Sequence, residues 1–174
     1  GDLFPTCNDH SFKSYSWFPN VKLNFAENLL CNADHRKVAL VSVVENELRQ
    51  ETTFESLRRQ VKGLNNSLST YIDEGDVLAC YMPNISETVT SMLATSSLGG
   101  VFTSTSCDFG VDGVVDRFAQ SRPKVLVAAS GYRYNGKYFD QMEKIRKISE
   151  QVDSIEKVVI VDFLGVNPDI SSVK

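Results

Sequence analysis

DVLACYMPNISETVTSMLATSSLGGVFTSTS, residues 76–106, decides the fold class. DVLACYM (Asp76–Met82) is a short, nearly continuous apolar run, the mark of a strand covered on both faces. Pro83-Asn84 ends it and opens a helix whose buried stripe is Ile85, Val89, Met92 and Leu93. Gly99-Gly100 closes that helix, and VFTSTS begins a second strand. A strand, a helix and another strand within thirty-odd residues form a crossover unit.

The same rhythm extends in both directions. Upstream, VALVSVV (Val38–Val44) reads as a strand covered on both faces, Glu45-Asn46 as a turn, and ELRQETT as a short partner strand. From Phe54 the apolar positions Leu57, Val61, Leu64, Leu68 and Tyr71 are spaced by three and four, and Thr53 stands at the N-cap position. Downstream, Val111, Val114, Val115 and Phe118 trace a helix face. PKVLVAA predicts a strand, Tyr138–Val152 a helix and KVVIVDF a last strand. The fold class is therefore α/β, a largely parallel sheet with flanking helices. Residues 37–174 are expected to form this unit, and 1–36 an irregular aromatic arm packed on it. Trp17, Phe18, Leu23, Phe25, Leu29 and Leu30 are too apolar to lie free in water.

Composition narrows the function classes. A net charge of −4 argues against a general nucleic-acid or anionic-membrane binder. No apolar run approaches the roughly 18 residues that span a bilayer, and no signal sequence is evident. Cys7, Cys31, Cys80 and Cys107 are far apart and, with His10 and His35, offer no metal-ligand spacing. Reduced thiols and a cytoplasmic setting are the expectation. No GxxxxGK[ST], GxGxxG or GxSxG motif occurs.

In parallel sheets ligands sit beyond the carboxyl ends of the strands. Two expected loops lie there. TSTSCDFGVDG (Thr103–Gly113) crowds hydroxyls, a thiol, carboxylates and glycines before a helix start. It reads either as a ligand loop or as Asp108 and Asp112 capping the helix while glycines make the turn. ASGYRYNGK (Ala129–Lys137) sets Arg133 and Lys137 among tyrosines, which suits a phosphate beside a stacked base or merely an exposed basic loop. Arg58-Arg59 and Lys144, Arg146 and Lys147 read as solvated helix faces.

WFPNVKLNFAENLL, then the block from TFESLRR to VFTSTS, then STSCDFGVDGVVDRFAQSRPKVLVAA with YNGK, resemble in consistent order the acyl-CoA synthetases of short-chain acids. These belong to the adenylate-forming superfamily, and the branch acting on acetoacetate is most similar. The resemblance implies part of the large N-terminal domain of such an enzyme. It implies an acid–thiol ligase using acetoacetate, Mg-ATP and CoA, through an acyl-adenylate with release of pyrophosphate and then AMP. Another short acid such as acetate or propionate, and a non-catalytic CoA- or nucleotide-binding module, stand as alternatives.

By the same resemblance the phosphate loop, ribose-binding aspartate, hinge and catalytic lysine come after the last residue here. The chain is thus expected to carry no catalytic or metal-binding residue, to be inactive alone, and to self-associate through uncovered faces. The implied contribution is to the CoA nucleotide site: Ser106, Cys107 and Asp108 from the first loop, Arg133 and then Lys137 from the second. Cys107 departs from the family pattern, where proline is expected; it loosens φ and introduces a thiol.

Overall fold

The computed structural model describes residues 21–31, 33–45, 49–171 and 173. Cys7, His10, Trp17, Phe18, Asn46, Glu47 and Leu48, and with them most of the expected arm, lie outside the described residues.

Four parallel strands form the centre: β3 (Val77–Tyr81), β4 (Val101–Thr105), β5 (Val125–Ala129) and β8 (Lys157–Val161), in the order β4-β3-β5-β8. Alternation of side chains across these strands gives the molecule two cores. Leu78, Cys80, Val125, Val127 and Ala129 face α2 (Phe54–Leu68) and α3 (Ser86–Ser97). Ala79, Tyr81, Leu126 and Ala128 face α4 (Val111–Ser121) and α5 (Met142–Gln151), which contribute Val114, Phe118, Ile145 and Ile148.

The helices begin and end for local reasons. Thr53 caps α2 as its spacing predicts: its Oγ1 accepts from the Ser56 amide at 3.2 Å. Gly99, at φ +76°, takes the left-handed position after α3. An added Cβ at Gly100 would stand 2.9 Å from the Thr95 methyl, so the turn into β4 packs against the helix it leaves.

Three expectations about the first sixty residues require correction. Val38–Val44 is not a strand covered on both faces. Its first part, β1 (Val38–Ser42), pairs antiparallel with β2 (Gln50–Thr53) in a separate ribbon, and Val38, Val41 and Val43 remain exposed. A continuous β-branched run satisfies an exposed ribbon as well as a buried strand, because β-propensity does not report burial. Second, the arm is not irregular throughout. Phe25–Cys31 form a short helix, α1, which buries Ala26 and Leu30 but leaves Leu23, Phe25 and Leu29 exposed. Asn24 joins it to α3, accepting from the Glu27 amide and donating to Ser96 O at 2.8 Å. Third, Arg58 is not simply a solvated cation. Its guanidinium donates to Leu30 O and to Ala33 O, and reaches His35 Nδ1 at 2.7 Å, so it satisfies carbonyls at the end of α1.

The segment after β5 also differs from expectation. Instead of a loop leading to a helix from Tyr138, it forms an antiparallel hairpin, β6 (Gly131–Tyr134) and β7 (Lys137–Asp140), and α5 starts only at Met142. Asn135 (φ 50°) and Gly136 (φ 72°) form the two-residue turn, a pair that matches the twist of the flanking strands. Among the described residues no helix is long and apolar enough to cross a membrane.

Candidate functional site

The strand order places a reversal between β3 and β5. From β3 the chain turns to α3 on one face, whereas from β5 it turns to the hairpin and α5 on the other. Loops that part to opposite faces leave a crevice at the carboxyl ends of their strands. Such a crevice is present here: a cleft of about 500 Å3 lined by Pro83 after β3, Ser106, Cys107 and Asp108 after β4, and Tyr132 and Tyr134 of the hairpin.

The wall after β4 is a tight turn, with the Phe109 amide donating to Ser106 O at 3.3 Å. The N-cap of α4 is Gly110 in extended conformation, so neither Asp108 nor Asp112 occupies the capping position. Asp112 lies in the first turn, where its charge complements the helix dipole. Neither glycine is demanded by backbone conformation. Gly110 has φ −70° and open space around an added Cβ, and the nearest atom to one at Gly113 lies at 3.8 Å.

Cys107 is buried, and its thiol donates to Tyr81 O at 3.7 Å. Burial pushes this thiol up to about 12, outweighing the favourable charge of Lys144. It is therefore protonated at neutral pH and no nucleophile. Lys144, a cation that helix-face reasoning assigned to solvent, is close enough to act on this thiol. Its neighbours Arg146 and Lys147 are instead engaged by Glu143 and Glu150 along α5.

The second wall is the hairpin. Tyr132 stacks on Phe139 at 4.9 Å, nearly parallel, and burial raises the Tyr132 phenol above its usual range. Register separates the two candidate cations. Tyr134 pairs with Lys137 and Tyr132 with Phe139, so these four share one face of the hairpin, from which Tyr132 and Tyr134 line the cleft. Arg133 pairs with Tyr138 on the other face, its guanidinium 4.5 Å from that ring's centroid. The structure thus brings Ser106, Cys107 and Asp108 together with Tyr132 and Tyr134. It puts Lys137 on their side of the hairpin and Arg133 on the reverse side.

Pro83 was missed from sequence, and the tyrosines were read as one aromatic loop without a reading of which of them face the cleft. The Asn-Gly pair flanked by aromatics was the signal for the hairpin, and strand parity from it would have found the tyrosines. A second cavity of about 360 Å3, floored by Val127, Val159 and Val161, lies on the α2–α3 face, away from these loops.

Known proteins share the sequence pattern and the fold of this chain. The model of the AMP-binding enzyme family matches residues 30–173. The acetoacetyl-CoA synthetase of Xenopus tropicalis is 39% identical over 150 residues, covering 85% of this chain and 22% of that protein. The acetoacetyl-coenzyme A synthetase of Rhizobium meliloti (strain 1021) is 40% identical over 150 residues, covering 86% and 23%. The solved structure of the acetoacetyl-CoA synthetase from Streptomyces lividans superposes with a TM-score of 0.83 at 36% identity, covering 89% of this chain and 24% of that one. The chain therefore spans less than a quarter of the length of these relatives. With a matching α/β fold and a family match over most of its length, the chain belongs to the AMP-binding enzyme family.

Proposed function

We propose that the chain is part of an acid–thiol ligase that converts acetoacetate, ATP and CoA to acetoacetyl-CoA, AMP and pyrophosphate, and that its cleft takes the nucleotide end of CoA. In that reaction a carboxylate oxygen attacks the α-phosphorus and pyrophosphate leaves. The CoA sulfur then attacks the acyl carbon, losing its proton, and AMP leaves. The observation that carries the reading is the convergence of three loops, from β3, β4 and the hairpin, on one cleft. Tyrosine rings offer stacking surface to a purine, Asp108 can accept from its amino group, and a hairpin cation can pair with a phosphate. The names of the relatives supply the acyl group.

No residue of the chain is assigned a catalytic step. Among the described residues no group of three or more His, Cys, Asp or Glu is gathered as a metal site. Because the chain matches less than a quarter of its relatives, it is proposed to be inactive alone. Sustained pyrophosphate release from acetoacetate and Mg-ATP would overturn that.

The cleft is tested by titrating CoA and 3′-dephospho-CoA into the chain and its variants. Lys137, on the cleft face, ranks ahead of Arg133. Lys137→Ala should weaken CoA about 10- to 100-fold, the worth of a charge-assisted contact, and leave dephospho-CoA unchanged. Equal loss for both ligands, or none, would remove Lys137 from the site. A loss confined to Arg133→Ala would restore the order expected from sequence.

A further inference from the structure

The buried hydroxyl of Tyr81 is a group that the proposed reaction does not use. Tyr81 closes β3 and is fully buried, yet its oxygen lies 3.0 Å from Cys107 O, 2.9 Å from Phe109 O and 3.0 Å from Gln141 Oε1. The first two carbonyls flank Asp108 on one wall of the cleft. Gln141, also buried, joins the hairpin to α5, and its amide donates to Ser130 O at 2.9 Å across the hairpin's base. One hydroxyl therefore meets both walls, from positions 26, 28 and 60 residues away in the chain.

The chemistry is tightly constrained. A phenol has one proton to donate, and a carbonyl can only accept. Shared between Cys107 O and Phe109 O, that proton serves the loop. The Gln141 carboxamide can turn its nitrogen toward the phenol oxygen and donate in return. The Cys107 thiol completes the arrangement by donating to the Tyr81 backbone, so residue and loop hold each other reciprocally. A proline at that position could not supply this last contact.

We propose that Tyr81 is a positioning residue whose hydroxyl sets the spacing of the cleft, fixing the Ser106–Gly110 turn and the base of the hairpin relative to each other. Its consequence for binding rests on the reading of the cleft as a CoA nucleotide site; its consequence for the walls does not.

Two measurements separate these. Tyr81→Phe keeps the ring and removes only the oxygen. Amide hydrogen exchange of the chain should rise about tenfold at residues 106–111 and 131–141, the effect of a lost hydrogen bond that strands two acceptors, while β3, β5 and β8 stay as protected as before. Gln141→Leu, which cuts the hairpin side alone, should loosen 131–141 and spare 106–111. Faster exchange in all strands alike, in one wall alone for Tyr81→Phe, or nowhere in either variant overturns the proposal. If wild type binds CoA, Tyr81→Phe should weaken it about tenfold, and an unchanged affinity also overturns the proposal. If wild type binds no CoA, the functional reading fails and the exchange pattern alone decides on Tyr81.

Discussion

Alanine at Gly131 tests how closely the hairpin is seated on the body. Gly131 begins β6 directly after β5, and a Cβ built there stands 2.4 Å from both the Leu164 Cδ1 methyl and the backbone oxygen of Phe139. The leucine can rotate away, but the carbonyl belongs to the partner strand. Since real Cβ atoms essentially never come within 3.0 Å of such an atom, β6 and β7 must part by at least 3.0 − 2.4 = 0.6 Å. Overpacking of this kind costs about 1–3 kcal/mol. For a protein of this size that lowers Tm by about 2 to 12 °C. Gly63 provides the control. It is exposed in the middle of α2 with nothing within 4 Å of an added Cβ, so Gly63→Ala should gain about 0.5–1 kcal/mol. The same chemical change thus has opposite signs at two sites. Thermal melts of both variants, with amide exchange across residues 131–140, make the comparison. Gly131→Ala melting with wild type, its hairpin amides equally protected, would refute the close-approach argument.

Thiol accessibility and acid stability give two further tests. At pH 8 a thiol reagent should modify exposed Cys31, while Cys80 and Cys107, both buried and pushed up to about 12, react only after denaturation; rapid labelling of Cys107 in the folded chain, read by peptide mapping, would contradict its placement. Asp162 accepts from the amides of Asn167 and Val166 and from the Ser130 hydroxyl, and the Asn167 amide above all holds its carboxyl below the usual range. A lowered folded-state value means stability fully present above the unfolded value of about 3.9 and lost as pH falls through the folded one. Melts between pH 6 and 3 should therefore show the advantage of wild type over Asp162→Asn shrinking with acid. A constant gap would contradict the assignment.

Much of the scaffold was legible in the residues themselves. Thr53 before the three-and-four spacing from Leu57 to Leu68 marked α2 because capping and amphipathicity are local. The apolar runs of β3, β5 and β8 were legible because a parallel strand must be apolar on both faces. What sequence could not show were relations between distant positions. Val38–Val44 has the composition of a buried strand; its pairing with ELRQETT was legible, but not that the pair stands apart from the parallel sheet and stays exposed. Tyr81 reads as one more aromatic in a buried run, since nothing near it announces contacts up to 60 residues away. Lys137 and Arg133 look equivalent in YRYNGK until the two-residue turn fixes which of them shares a face with Tyr134.

Ser130 and Gln141, joined at 2.9 Å, bring residues 131–140 in and out of the body at one point. Because among the described residues these pair only with each other as strands, the hairpin is in effect a cassette. Its tip and cleft-side residues can be exchanged while the parallel sheet keeps its register. On the proposed reading of the cleft, ligand preference would be retuned within one short segment, without renegotiating the core.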